Sequence, residues 1–290
     1  MAGAARSPEP IGGPLLTAAE LDPAVRTFLR VAAHGGRWDV DTEFDWGTAD
    51  ADRLTEGERS AVEFVTVIED HLPGYFAMYD RHFPVDDSVD LPTFEHNREL
   101  YHFSVRWAQE EDTHALALAR YQLAAGMAEP DTLRGALAVE GHKRFDLPYP
   151  HAVQFFTYAL VQEKATQLYY QHLRRAVGDP LLADVLGRLS RDEARHFAFF
   201  ADVVQLYLRR HGEAMVEPIR AVVADFRMPL ADTIKGYWRW ALRIADVARY
   251  DHTEAYEHLI KVVNRAVDAP SDRVDELTAF VAACRSLTEA

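Results

Sequence analysis

At 290 residues, 48% of them hydrophobic, the chain can bury a sizeable core as one large domain or two small ones. Its formal net charge of −15 and pI near 5.3 exclude the basic footprint of a general nucleic-acid binder and argue against docking on anionic membranes. No apolar run approaches the roughly 20 residues of a membrane span, the first residues lack the apolar core of a signal peptide, and Cys284 is the only cysteine. A cytoplasmic protein without disulfides is the expectation.

Residues 1–16, with Pro8, Pro10, Gly12, Gly13 and Pro14, read as a flexible arm, and residues 17–290 as one helical domain. A helix over about 21–33 stops at Gly35-Gly36. Residues 37–54 are an Asp-rich loop in which Trp38 and Trp46 are candidate anchors onto the core. Thr55-Glu56-Gly57-Glu58 is a capping box that opens a helix running to about residue 83. Pro73 interrupts that helix: it lacks an N–H, so the carbonyl of Glu69 loses its helical partner and the chain kinks just after Glu69. Further helices are expected over about 93–125, 131–143, 151–177 and 181–210. Residues 213–290 read as three or four more, broken at Pro218, Pro229, near Asp251 and at Pro270. Strand-type alternation never persists between turn signals, so the fold class is all-α.

Two of these helices carry Glu-x-x-His: Glu111 with His114, and Glu193 with His196. Positions i and i+3 share a helix face, so each pair aims a carboxylate and an imidazole at one point. Glu69 and Glu163 sit on two further helices among apolar residues, where an acid must be paired or bound. Four carboxylates and two imidazoles from four helices form the site that holds two iron or manganese ions in ferritin-like bundles. The expected architecture is therefore a ferritin-like four-helix bundle over about 55–212 with extra C-terminal helices over 213–290. Four carboxylates carry −4 and two divalent ions +4, so the loaded site is near neutral. An acid precedes each pair, Glu110 and Asp192, turned about 100° toward a neighbouring helix. The pseudo-repeat suggests that Asp192 holds His114 and Glu110 holds His196.

Four ordered blocks resemble the soluble acyl-carrier-protein desaturases of plants and actinobacteria: Glu69-Asp70-His71-Leu72-Pro73-Gly74-Tyr75, Trp107 through His114, Gln162-Glu163-Lys164-Ala165-Thr166, and Asp192-Glu193-Ala194-Arg195-His196. Arg227-Met228-Pro229 and the segment around residues 245–256 extend the similarity. The resemblance implies that Glu69, Glu111, His114, Glu163, Glu193 and His196 are iron ligands and that Thr166 stands beside the oxygen-binding face. It aligns Trp38 with a tryptophan on the electron route to iron. It also implies a homodimer. The chain departs from the family pattern at Lys164, where Arg is usual, and at Ala194, where Lys is usual.

The resemblance implies an O2-dependent desaturase that takes electrons from a ferredoxin and introduces a double bond into a fatty acyl chain on an acyl carrier protein. Tyr75, Met78, Phe155, Tyr158 and Phe197 are candidate walls of the acyl channel. The carrier is acidic, so docking needs a local basic patch, for which Arg174, Arg175, Arg209, Arg210, Lys235, Arg239 and Arg243 are candidates. An N-oxygenase or hydroxylase acting on another carrier-bound or free metabolite is the alternative, and an iron-storage protein a third reading.

Overall fold

Side-chain caps set where the helices start. The computed structural model describes residues 11–35, 37–245, 247–248, 252–266 and 271–288. They form α1 (Ala18–Gly35), α2 (Glu56–Asp70), α3 (Leu72–His82), α4 (Leu91–Ala124), α5 (Pro130–Gly141), α6 (Ala152–Ala176), α7 (Pro180–His211), α8 (Val216–Ala224), α9 (Tyr237–Ile244), α10 (Thr253–Ala266) and α11 (Asp272–Thr288). The capping box is present at α2: Thr55 N donates to Glu58 Oε2 at 2.7 Å and Glu58 N to Thr55 Oγ1 at 3.3 Å. Asp90 caps α4, accepting from Thr93 N at 2.9 Å. No strand occurs among the described residues, and a single isolated bridge pairs Gly12 with His151. The fold is all-α.

Residues 177–179 are too short for anything but an antiparallel return, so α6 packs along α7. α2 and α4 face this pair, α1 lies against α4 and α7, and α10 covers the outside of α6 and α7. α11 packs on α10 and α8, and α9 on α2. Buried aromatic rings fill the interior. Phe103 of α4 stacks on Phe199 of α7, and Phe28 of α1 meets both.

Asp179 ties the α6–α7 corner to the Asp-rich loop. It is wholly buried and caps α7 through Leu181 N (2.8 Å) and Leu182 N (3.3 Å). Its other oxygen accepts from Asp50 N and Tyr121 Oη, both at 2.9 Å. At the neighbouring Gly178 a Cβ would sit 2.8 Å from the carbonyl oxygen of Arg53, so only glycine admits the loop this close. Asp179→Ala removes a cap and strands two more buried donors. A loss of roughly 3 kcal/mol is expected, read by denaturant unfolding.

Three sequence expectations change. Residues 11–16 are fixed rather than flexible. Ile11 and Leu16 are buried, Ile11 N donates to His82 O (3.1 Å) and Gly12 N to Pro150 O (2.8 Å). Their apolar side chains outweigh the proline and glycine signals around them. Residues 1–10, Gly36, Asp251 and Pro270 lie outside the described residues. At Pro73 the chain does not kink one helix but makes two. α2 ends at Asp70, His71 takes φ −75° and ψ 5°, and Pro73 falls in the first turn of α3, where a missing N–H costs nothing. Pro218 likewise sits in the first turn of α8 and breaks nothing, while α7 ends at Gly212, with φ 57°, as its glycine predicts.

Candidate metal centre

Glu69 of α2, Glu111 and His114 of α4, Glu163 of α6, and Glu193 and His196 of α7 meet in the interior, none more than 8% exposed. They form two overlapping quartets. One is Glu69, Glu111, His114 and Glu193, the other Glu111, Glu163, Glu193 and His196. Within each, one ligand atom per residue lies within 4.8 Å of all the others. Glu111 and Glu193 belong to both. His114 Nδ1 lies 3.8 Å from Glu69, 3.7 Å from Glu111 and 3.3 Å from Glu193. His196 Nδ1 lies 2.9 Å from Glu111, 3.5 Å from Glu163 and 3.4 Å from Glu193.

The outward nitrogens are held. His114 Nε2 is 3.2 Å from Asp192 Oδ2 and His196 Nε2 is 2.9 Å from Glu110 Oε2. With these N–H groups donating, each Nδ1 is the nitrogen left to give its lone pair to a cation that displaces its proton. Both outer acids are themselves fixed. Arg195 reaches Asp192 at 2.6 Å and Glu110 at 3.3 Å, Arg106 reaches Glu110 at 2.8 Å, and Trp38 Nε1 donates to Asp192 at 2.9 Å. The Trp38 ring also stacks on His114, with centroids 6.4 Å apart. On the inner side, Trp107 Nε1 donates to Glu163 Oε1 at 3.2 Å and Tyr170 Oη donates to Glu69.

The inward atoms have no protein partner. His114 Nδ1, His196 Nδ1, both oxygens of Glu193, Glu111 Oε1 and Glu163 Oε2 are buried without a hydrogen bond. Buried polar atoms are normally satisfied, so a converging set of unsatisfied donors-in-waiting fits a divalent cation pair. Electrostatics agree. Burial and the neighbouring carboxylates push Glu69 up to about 8 and Glu163 well above the carboxylate range. Burial also opposes ionisation of Glu111 and Glu193, but the two histidines hold both below their usual values. The histidines, disfavoured as cations by burial, are pushed well above the usual range by the acids around them. In the metal-free cluster the extra protons are thus drawn to Glu69, Glu163 and the two histidines, and Glu111 and Glu193 are held as carboxylates. Protons occupy it where two divalent cations would.

Cutting the outer support is expected to loosen the centre. Asp192→Ala leaves His114 and Trp38 without their acceptor and should weaken metal binding about 10–100-fold. A competitive chelator titration measures it, and unchanged affinity would remove this role for Asp192.

A fatty acid desaturase family model matches residues 48–275 of the chain. The chain belongs to the acyl-[acyl-carrier-protein] desaturase family. It is 25% identical over 202 residues to a Mycobacterium tuberculosis protein named as acyl-[acyl-carrier-protein] desaturase DesA2, a match covering 70% of this chain and 69% of that one. It is 32% identical over 143 residues to the chloroplastic acyl-[acyl-carrier-protein] desaturase 6 of Oryza sativa, covering 43% of this chain and 32% of the relative. The X-ray structure of DesA2 superposes with a TM-score of 0.64 at 19% identity, over 90% of this chain and 98% of that one, and so shares the fold.

Beside the centre of this family member runs a cavity of about 40 Å³. Tyr75, Met78, Phe155 and Tyr158 line it, together with Trp107 and Gln162 and with Glu69, Glu111 and Glu163 of the cluster. Phe197 does not. Its ring lies under Lys164 Nζ at 3.9 Å and against His258 on the far side of α6, because residue 197 is one step past His196 and turned about 100° away. Thr166 is buried one turn after Glu163 and accepts from Gln162 Nε2 at 3.2 Å.

The seven basic candidates do not form one patch. Arg174 and Arg175 end α6, whereas Arg209 and Arg210 end its antiparallel partner α7, roughly 40 Å away at 1.5 Å per residue. Arg210 pairs with Glu20 at 3.0 Å. Arg106, Arg195, Trp107 and Tyr170 were not singled out as site residues. Helix spacing carries the signal for three: Arg106 precedes Glu110 by four, Arg195 follows Asp192 by three, and Trp107 lies four and seven residues before Glu111 and His114. Tyr170 reaches across to Glu69 on another helix, and nothing local marks it.

Proposed function

We propose that the protein is an O2-dependent desaturase that introduces a double bond into a fatty acyl chain carried on an acyl carrier protein. The observation that carries this reading is the pair of overlapping quartets beside an apolar cavity. Iron suits this donor set, with manganese as a possible substitute. Glu69, Glu111, His114 and Glu193 would hold one ion, and Glu111, Glu163, Glu193 and His196 the other. When bound, the pair supplies the oxygen chemistry: a CH2–CH2 unit loses two hydrogens, and O2 with two external electrons and two protons leaves as two waters.

The chain supplies orientation and dryness. Asp192 and Glu110 keep the Nε2 protons in position, so that both Nδ1 atoms stay bare toward the centre. Tyr75, Met78, Phe155 and Tyr158 hold the acyl segment against Glu111 and Glu163 and exclude water from the reacting carbons. Thr166, hydrogen-bonded to Gln162 of the cavity wall, is the hydroxyl on the oxygen side in this reading. Trp38, stacked on His114, is a route for electrons from a ferredoxin-type donor. The functional unit in this reading is a homodimer working in the cytoplasm.

The deciding experiment is aerobic turnover of the metal-loaded chain with reduced ferredoxin and acyl-carrier-protein thioesters of varied length, read by mass spectrometry. A product lighter by two hydrogens is expected. A product heavier by one oxygen would favour the hydroxylase or N-oxygenase reading. That reading draws support from the Tyr75 hydroxyl, a cavity-lining group buried without a protein partner, which would suit a polar substrate. Failure to hold two transition-metal ions per chain would sink both.

A further inference from the structure

A second site lies on the other side of α6. One face of α10 carries His258, Lys261 and Arg265, at spacings of three and four that align them along the helix. Opposite stands α7, whose small side chains at Ala198 and Ala201 leave space between the helices. The result is an open groove of about 390 Å³. Phe197 forms part of its wall, edge-on to His258 with ring centroids 5.8 Å apart. Behind Phe197 is Lys164, only 6% exposed, its ammonium 3.9 Å from the ring centroid and donating to Gln167. Lys164 follows Glu163 by one residue and therefore points about 100° away from the metal centre.

The charges here are not balanced. Among the described residues, no carboxylate lies within ion-pair distance of Lys164, Lys261 or Arg265, in a chain whose net charge is −15. Among the residues lining the groove the one acid is Asp202, which attracts Arg209 only at longer range. Lys261 and Arg265 on the wall, with Lys164 behind Phe197, therefore outnumber the groove's single carboxylate. Burial, aided by Lys164 and Lys261 and opposed by Glu257, holds His258 down to about 4. Unpaired cations this close repel one another, and a dianion between them relieves that repulsion.

We propose that the α7–α10 groove binds the phosphate group of a phosphorylated small molecule, with Lys261 and Arg265 as direct donors and Lys164 as a buried counter-charge. Arg265 offers a planar fork and Lys261 a mobile point charge, a combination suited to a tetrahedral anion. The groove is wider than a phosphate alone requires, and the Phe197 and Val262 walls give an apolar surface for the rest of the molecule. Nothing in this site draws on the metal centre, so it stands or falls independently of the desaturase reading.

Isothermal titration of the full chain at constant ionic strength tests it, with inorganic phosphate, pantetheine 4′-phosphate and adenosine 3′,5′-bisphosphate as probes and acetate as the control anion. Phosphate should bind where acetate does not, and the double variant Lys261→Gln/Arg265→Gln should weaken it by about tenfold or more. Both residues are exposed, so the variant keeps its fold, which circular dichroism checks. The pair Arg26→Gln/Arg134→Gln, an equal loss of charge on exposed faces of α1 and α5 that line no groove, should leave binding unchanged. Tighter binding of pantetheine 4′-phosphate points to a carrier or coenzyme handle, and tighter binding of the bisphosphate to a nucleotide. No binding of any phosphate probe, or equal weakening by both double variants, overturns the proposal.

Discussion

Glu193→Gln is expected to strip both ions from the centre, because Glu193 contributes to both quartets. Glu69→Gln and Glu163→Gln each touch one quartet and should leave one ion bound. The loss of affinity in Glu193→Gln should exceed the roughly 100-fold upper end of the effect of an outer hydrogen-bond partner, and activity should vanish with it. The fold survives in all three, since the amide keeps the shape of the acid and the surrounding aromatic core is untouched. Elemental analysis after anaerobic reconstitution reads the outcome. A Glu193→Gln chain with two ions and turnover within tenfold of the wild type would remove the shared-ligand arrangement.

The second large effect is on pH dependence, and its sign reverses with metal. In the metal-free chain Glu69 keeps its proton to about pH 8, whereas the unfolded chain releases it near 4.5. The folded state then binds more protons across that window, so this contribution is full below it and is lost as pH rises toward 8. His114 and His196, raised above 6.5 in the fold, act in the same direction at higher pH. Glu111 and Glu193, lowered in the fold, act oppositely and lose their contribution as pH falls below 4.5. The chelated protein should therefore be most stable in mildly acidic solution and lose up to about 1.4 kcal/mol per pH unit for each excess proton on the way to pH 8. Metal loading displaces these protons, so affinity should climb steeply over the same range. Thermal unfolding of chelated and loaded protein from pH 5 to 9, with an indicator-dye measure of proton release, checks both halves. A chelated chain that gains stability between pH 6 and 8 would contradict the charge arrangement.

Much of the centre was legible because helices have a fixed period. Glu111 with His114 and Glu193 with His196 are visible at spacing three, and Glu69 and Glu163 stand out as acids in apolar stretches. The crossing of Asp192 to His114 and Glu110 to His196 followed from the pseudo-repeat, and the structure brings those pairs together. What escaped depends on the arrangement of helices rather than on any one helix. Tyr170 meets Glu69 across the bundle, and no local spacing encodes that. The seven arginines and lysines looked like one patch only while the direction of α7 was unknown. Phe197 follows His196 by one residue and so faces away from the channel, a direction that residue type alone does not give. Residues 11–16 carry the composition of a loose tail but the apolar side chains of a strap, and burial decided between them.

The break at His71 makes the two halves of the centre unequal. Glu111, His114, Glu163, Glu193 and His196 stand well inside long unbroken helices, whereas Glu69 lies one residue from the end of α2. Helix ends fray at far lower cost than helix middles. The cluster is therefore least firmly held on one side, and exchange of a bound ion is expected to be faster at the position nearer Glu69.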